Sequence, residues 1–449
     1  MGQNRSLKIA IATLGCKVNF FDSAAMAAAL RRDGFDIVPF SAVSDVYIIN
    51  SCTVTESSDA QSRQLIRRAL RMNPYAQVVV TGCYAQHAAD ALAGISSRLH
   101  ILGNFEKEDI CSYIKKIIAG NSRILCISSP ARAHNLYLFP VPLFFKRTRA
   151  FLKIQDGCSA ACSYCIVPYV RGMSRSLPVE QTLESCASLV RQGYREIVLT
   201  GIHLGMYGLD LQPPVSLVAL LKKLTDDARF TGVRIRLSSI EPNEISDALV
   251  ALIARSHNIC PHLHIPLQSG DELVLTRMNR SYTPSGFKRI IETLTQTIPD
   301  LNVGVDVMAG FPGETEAQFE KTLRLVQELP VGYLHVFPYS RRPGTAAAHL
   351  PDQIPEPIKK QRTATLRKMA LQKKLVFYTS CLNKAMPVLI EGTRDRKTQL
   401  LRGVSRNYIP VLLNGSNILM GKEIIARITG ITETGVYGVC EENNYKTAS

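Results

Sequence analysis

Residues 150–165 read AFLKIQDGCSAACSYC, an apolar strand-like run that opens into a loop carrying Cys158, Cys162 and Cys165. The Cys-x₃-Cys-x₂-Cys spacing puts three thiols on one tight loop directly after a strand. Three thiolates there can hold three irons of a cubane and leave the fourth open to a ligand. A structural zinc site would want a fourth ligand nearby, and the next histidine is His203. Downstream, the strand-like runs EIVLTG (196–201), VRIRLSS (233–239), HLHIPLQ (262–268), NVGVDVMAG (302–310) and YLHVFPYS (333–340) alternate with helical runs such as 178–193, 245–256, 284–296 and 316–329. Six strand–helix units predict an α/β domain built as a partial parallel (β/α)6 barrel rather than a complete eight-unit one. Ligand-binding groups in such barrels sit at the carboxyl ends of the strands. Gly201, Ser239, Gln268 and Gly310 stand at the ends of the second to fifth runs and are candidate ligand contacts.

Upstream, LKIAIATLG (7–15), DVYIINSC (45–52) and AQVVVTGC (76–83) alternate with helical runs at 23–34 and 59–73, which predicts a doubly wound parallel sheet. Cys16, Cys52 and Cys83 each follow one of these strands. The carboxyl ends of parallel strands share one edge of the sheet, so these cysteines can converge despite separations of 36 and 31 residues. They form a candidate second iron–sulfur site. Cys111, Cys126, Cys186, Cys260, Cys381 and Cys440 lie singly and read as structural thiols. The connecting stretch 128–149 has no clean period. Short strand-like runs broken by Gly and Asn fill the last ~70 residues and predict a small β-barrel. The expected domains are 1–135, 145–378 and 379–445.

The chain holds 53 Lys and Arg against 37 Asp and Glu, a net +16 over 449 residues, which points to an anionic partner of the nucleic-acid kind. Residues 359–378 carry seven basic residues and no acid; Arg63, Arg67 and Arg71 recur along one helical face; Lys146, Arg147, Arg149 and Lys153 add a third segment. No apolar run approaches the ~18 residues of a membrane span, and the start reads as a first strand rather than a signal peptide. A cytoplasmic protein with reduced cysteines and no membrane partner is expected.

In order along the chain, TLGCKVN (13–19), INSCTVT (49–55), VTGCYAQ (80–86), KIQDGCSAACSYCIVPYVRG (153–172), EIVLTGIHLG (196–205), LSSIEP (237–242), HLHIPLQSG (262–270) and GFPGETE (310–316) resemble the methylthiotransferases of the radical S-adenosylmethionine superfamily. Tyr164 stands where that superfamily typically carries an aromatic residue. The resemblance implies an amino-terminal methylthiotransferase domain, a radical barrel and a carboxy-terminal TRAM domain. TLGCKVN and LTGIHLG are similar to the branch that methylthiolates C2 of N6-threonylcarbamoyladenosine at position 37 of tRNA; the isopentenyladenosine branch usually reads TYGCQMN. Methylthiolation of isopentenyladenosine, or of a ribosomal protein aspartate, is the alternative within the family. Phe20, Phe21, Ser51 and Ala309 depart from the family's usual residues and are not ligand cysteines. By matching position, Cys158, Cys162 and Cys165 would hold the radical [4Fe-4S] cluster, and Cys16, Cys52 and Cys83 an auxiliary [4Fe-4S] cluster that supplies sulfur. S-adenosylmethionine would be the cofactor, a tRNA anticodon loop the partner and a reducing electron donor the second partner, with the enzyme a monomer.

Overall fold

The computed structural model describes residues 6–120, 122–132, 135–136, 142 and 148–441. Lys146 and Arg147 of the third basic segment lie outside them.

The amino-terminal residues form a six-stranded parallel sheet. Its spatial order is Asp36–Val38, Lys8–Thr13, Val46–Ser51, Gln77–Gly82, Leu99–Leu102 and Leu125–Cys126. Val46–Ser51 is buried along its whole length, as befits a central parallel strand covered on both faces. On one face Ile9, Ile48 and Val79 meet Met26 and Leu30 of helix Lys17–Arg32 and Ile114 of helix Ile110–Ile118. On the other, Ala10, Tyr47 and Ile49 meet Ile66 and Ala69 of helix Glu56–Met72. Both long helices begin earlier than the periodicity predicts. Thr55 accepts a hydrogen bond from the Ser58 backbone and caps the second. Val18 and Asn19 are buried in the first turn of the other, so tertiary packing starts that helix directly after Cys16.

The central barrel consists of two parallel three-stranded sheets. Glu196–Thr200 pairs with Arg149–Lys153 and Arg234–Leu237; Asn302–Ala309 pairs with His262–His264 and Tyr333–Pro338. A single bridge, Ile235 with Ile259, joins the two sheets, and on the opposite side the edge strands Arg149–Lys153 and Tyr333–Pro338 do not pair. The barrel is therefore six-stranded and open along one flank. Helix Lys17–Arg32 packs along that flank on Arg149–Lys153, with Phe21 and Ala25 in the same core as Ala150 and Leu152. A buried ion cluster ties the domains together: Asp22 accepts from Lys107 (3.0 Å) and Lys153 (2.6 Å), with Arg171 at 3.6 Å. Arg171 also meets Asp156 at 2.7 Å.

Helix Glu356–Ser380 leads into a closed five-stranded barrel, ordered Ala385–Arg394, Leu401–Ser405, Pro410–Leu413, Val436–Cys440, Glu423–Ile431. The small barrel docks under the central one. Buried Arg234 and Arg236 donate to the carbonyls of Val404 (3.0 Å) and Arg406 (2.8 Å), and Tyr408 lies beneath the Arg236 guanidinium. Burial would raise the Glu196 carboxyl, but Arg236, Arg234 and Arg149 bring it down to about 2.

The basic segments are less free than their sequence suggests. Lys359 and Arg362 are buried, Arg362 holding Glu314 (2.8 Å) and Glu316 (2.9 Å). Lys373 donates to the carbonyls of Gln327 and Leu329, and Lys153 is spent on Asp22 and Asp156. What stays exposed on the helix is Lys360, Arg367 and Lys368.

Candidate radical and sulfur sites

The loop of Cys158, Cys162 and Cys165 hangs from a short antiparallel pair, Gln155–Asp156 with Arg175–Ser176. Gly157 has φ +76°, and a Cβ there would lie 2.0 Å from the Met173 carbonyl oxygen, so only glycine lets the chain turn into the loop. The Cys158 backbone N–H donates to Gly172 (3.0 Å), and Cys165 closes a turn on Cys162 (3.0 Å). All three cysteines line one cavity of about 290 Å³ at the carboxyl ends of the barrel strands. Its other walls include Ile202, Ser239, Glu241, Gln268, Asp306, Met308, Phe337 and Tyr339.

The sulfurs are electrostatically supported. His203 Nδ1 lies 3.3 Å from Cys158 Sγ, while its Nε2 faces Glu244 at 2.6 Å. Burial would lower this imidazole, but the bonds to the Cys158 sulfur and Glu244 win and bring it to about 10. Arg280 Nη1 donates to Cys162 Sγ (3.2 Å). Burial pushes the Cys165 thiol up to about 12. An uncompensated thiol in that position stays protonated at neutral pH, so three thiolates require a cationic centre among them.

The second triad converges as the shared sheet edge predicts. Cys16, Cys52 and Cys83 lie close enough for their charges to interact. Gly15, at φ +95°, is packed so tightly on Cys52 that a Cβ would lie 2.8 Å from its Sγ. Burial pushes Cys52 up to about 11. Cys16 meets solvent but is densely surrounded by protein, and this desolvation raises its thiol too. Arg171 bears on both Cys16 and Cys83, Lys107 on Cys83, and Asn104 Nδ2 reaches Cys83 Sγ at 3.7 Å. Cations and amide donors around three thiols suit an iron–sulfur centre of net negative charge.

Spacing separates a cluster from a single ion. Among the described residues, neither triad gathers its three sulfurs within 4.8 Å of one another. Thiolates sharing one zinc would stand about 3.8 Å apart at a Zn–S distance of about 2.3 Å. Ligands of a cubane sit on different irons and stand farther apart. The donor sets fit clusters.

The two sites adjoin. Val54 and Thr55, just after Cys52, line the cavity of the radical loop. Cys83 packs against Ile166 and Val170, just after Cys165. Arg342 from the barrel bonds Thr53 (2.9 Å) and Asp59, closing the seam.

Of the four strand-end residues singled out in the sequence, Ser239 and Gln268 line the cavity. Gly201 and Gly310 are not among its lining residues. A Cβ at Gly201 would lie 2.7 Å from Gln155 Oε1, and one at Gly310 2.3 Å from Lys359 Cγ, so each glycine serves packing. Gln268 Oε1 and Tyr339 Oη are buried without a partner among the described residues, as groups that face a polar ligand would be. Gln268 also holds φ +62°, a strained value for a side chain of its size. Glu244 and Arg280 escaped sequence reasoning, and His203, set aside there as distant from the cysteine loop, stands beside Cys158. His203 sat within the quoted EIVLTGIHLG, but nothing local marked it as a partner of Cys158.

A model described as the uncharacterized protein family UPF0004 matches residues 8–103, and one for the radical SAM superfamily matches 152–326. The threonylcarbamoyladenosine tRNA methylthiotransferase MtaB of Bacillus subtilis (strain 168) is 39% identical over 94% of this chain and 93% of its own. Its namesake from Aquifex aeolicus is 35% identical over 91% and 97%. The tRNA-2-methylthio-N(6)-dimethylallyladenosine synthase of Pelotomaculum thermopropionicum is 32% identical over 98% and 99%. Among solved structures, the radical S-adenosylmethionine methyltransferase TsrM from Kitasatospora setae covers 76% of this chain and 77% of its own with a TM-score of 0.56. At 14% identity that likeness concerns the fold alone.

Proposed function

This chain belongs to the radical S-adenosylmethionine methylthiotransferase family, and from that premise we propose that it places a methylthio group on C2 of N6-threonylcarbamoyladenosine at position 37 of tRNA. Replacing that hydrogen breaks an unactivated aromatic C–H bond, which general bases near pH 7 cannot do. Cys158, Cys162 and Cys165 hold the radical cluster; Cys16, Cys52 and Cys83 hold the auxiliary one. When bound, the first supplies the electron that cleaves S-adenosylmethionine and the second supplies sulfur.

The chain's own residues do the rest. Arg280 and His203 set the charge beside two sulfurs of the radical loop. Ser239, Gln268 and Tyr339 offer polar groups to S-adenosylmethionine, while Ile202, Met308 and Phe337 keep water from the reacting carbon. Val54 and Thr55 border the space that an extruded anticodon-loop base would share with both sites. This adjacency of the two triads supports the reading most. An external one-electron reductant is part of it, and no helix among the described residues is long and apolar enough to cross a membrane.

Nucleoside analysis of bulk tRNA from strains with and without the gene tests it. The methylthio form of threonylcarbamoyladenosine should disappear with the gene and its unthiolated parent accumulate. Loss of methylthio-isopentenyladenosine instead would assign the chain to the sister branch.

The exposed cations of helix Glu356–Ser380 are expected to hold tRNA phosphates. Changing Lys360, Arg367 and Lys368 together to Ala should weaken tRNA binding and flatten the log–log salt dependence by roughly 0.7–0.9 for each phosphate no longer neutralised. Filter binding across a salt series from about 50 to about 300 mM reads both the affinity and the slope. An unchanged slope would place the tRNA path elsewhere.

A further inference from the structure

A path of hydrogen bonds joins the two cysteine triads through side chains that the cysteine chemistry does not use. Arg171 Nη2 donates to Asn19 Oδ1 (2.6 Å) and its Nη1 to Asp156 Oδ1 (2.7 Å). On the barrel side, the same Asp156 oxygen accepts from the N–H of Gly157 (2.8 Å), the residue before Cys158. The Cys158 N–H in turn donates to the carbonyl of Gly172 (3.0 Å), next to Arg171. On the amino-terminal side, Asn19 Nδ2 donates to the carbonyls of Leu14 (2.8 Å) and Ser51 (3.0 Å). Leu14 stands two residues before Cys16, and Ser51 directly before Cys52. Asn19, Arg171 and Asp156 are 1%, 2% and 7% exposed, so water does not compete for the bonds between them.

The third cysteine of the amino-terminal triad is tied to the same place. Asn104 Nδ2 donates to the carbonyl of Val170 (2.8 Å) and reaches Cys83 Sγ at 3.7 Å, while its Oδ1 accepts from Lys107 (2.9 Å). Residues 170–172 thus lie one or two hydrogen bonds from the segments that carry Cys16, Cys52, Cys83 and Cys158. The connecting groups are stiff. The Asn19 amide is planar and uses its nitrogen toward the sulfur site and its oxygen toward the barrel. The guanidinium is a planar fork that holds two acceptors in fixed directions, which a single ammonium does not. Its charge makes both bonds shorter and stronger than neutral ones. Two planar groups in series set a spacing as well as a contact.

We propose that Asn19 and Arg171 are positioning residues that fix the separation of the sulfur site from the radical site. The inference rests on the function proposed above for its two clusters and its methylthio product, but not on which base is modified. Sulfur has to reach the same carbon that loses its hydrogen, and the two sites that act on that carbon belong to different domains. A misplacement of about 1 Å in such an arrangement costs about 100-fold in rate. Neither residue is a cluster ligand. Their loss should therefore injure transfer of sulfur and leave formation of the radical intact.

The test uses the cluster-loaded enzyme and two conservative variants. Arg171→Lys keeps the positive charge beside Asp156 and Asp22 but does not hold Asn19 and Asp156 together. Asn19→Asp keeps an acceptor for Arg171 and turns its second oxygen on the Leu14 and Ser51 carbonyls. Both variants should load about eight irons, as wild type does, and cleave S-adenosylmethionine. The methylthiolated nucleoside formed per 5′-deoxyadenosine should fall roughly 10- to 100-fold. EPR of the reduced enzyme without tRNA should show a weaker spin–spin interaction between the two clusters than in wild type, a change that partial unfolding does not produce. Asp22→Asn loosens the same joint but leaves the path of hydrogen bonds in place, so well below its unfolding midpoint it should keep the wild-type ratio. An unchanged ratio or an unchanged spin–spin interaction in both variants overturns the proposal, as does an equal fall in Asp22→Asn. Loss of the auxiliary irons from either variant overturns it too, because that residue would then hold the cluster and not its distance. A wild-type enzyme that cleaves S-adenosylmethionine but methylthiolates neither threonylcarbamoyladenosine nor isopentenyladenosine removes the underlying function instead, and the spin–spin interaction then decides the positioning role by itself.

Discussion

Changing Cys162 to Ala should abolish both 5′-deoxyadenosine and methylthiolated nucleoside, whereas Cys52→Ala should abolish only the nucleoside. Cys162 is one of three thiols on a single loop, and its sulfur accepts from Arg280 at 3.2 Å. Its loss leaves two thiolates, too few ligands to hold a cubane with one open iron, while Arg280 keeps its pairing with Glu241. Without that site S-adenosylmethionine has neither an anchor nor an electron. Cys52 belongs to the amino-terminal sheet, across a seam closed by Arg342 with Thr53 and Asp59. Its loss leaves the barrel loop intact, so cleavage of S-adenosylmethionine should continue while sulfur insertion falls to background. Iron content gives a second reading of the same division: wild type near eight irons, and the Cys158, Cys162, Cys165 triple alanine variant near four, about one cubane per triad. A Cys52→Ala enzyme that made normal amounts of methylthiolated nucleoside would overturn the division of labour, and full iron in the triple variant would overturn the ligand assignment.

The second large effect concerns the joint between the domains. Asp22→Asn leaves Lys107, Lys153 and Arg171 buried around a neutral amide. Removing one partner from a buried ion cluster typically costs about 3–5 kcal/mol, because three buried cations then share the one remaining carboxylate, Asp156. Urea unfolding at pH 7 should read a loss of that order; a variant as stable as wild type would show that the cluster contributes nothing. The pH dependence has a definite sign. Burial would raise the Asp22 carboxyl, but Lys107, Lys153 and Arg171 bring it down to about 2. Lys153 is held up by two carboxylates, Asp22 and Asp156, while at Lys107 burial outweighs Asp22 and pushes the amine down. A carboxylate depressed from about 3.9 when unfolded stabilises fully above that value. Its contribution then disappears as pH falls through about 4 to about 2. Wild-type stability should drop across that window, and Asp22→Asn should flatten the drop.

Both effects come from places where residues distant in sequence meet, and they differ in how far the chain alone foretold them. The radical loop was legible because its three cysteines, its turn glycine and its leading strand are contiguous: local spacing sets local geometry. Convergence of Cys16, Cys52 and Cys83 was legible for a different reason. In a parallel sheet every strand delivers its following residue to the same edge, so strand recognition alone brings three distant positions together. The six parallel strands of the central barrel and three of the six in the amino-terminal sheet followed from alternating strand and helix periods, and the closed carboxy-terminal barrel from short runs broken by Gly and Asn.

The sequence misjudged residues whose roles depend on what lies across a gap in the chain. Lys359, Arg362 and Lys153 read as parts of basic patches, yet each is buried against acids or carbonyls that only folding supplies. Gly201 and Gly310 stand at strand ends, where neighbouring side chains fill the space a Cβ would take. Glu244 and Arg280 carried no local mark at all. Sequence by itself therefore determined which strands form, which edge their ends share and which thiols meet there, since these follow from short-range periodicity and one topological rule. Only the tertiary structure decided which charges are spent on the fold and which remain free for a ligand, because electrostatic partnership depends on distances across the barrel lumen and the domain seam.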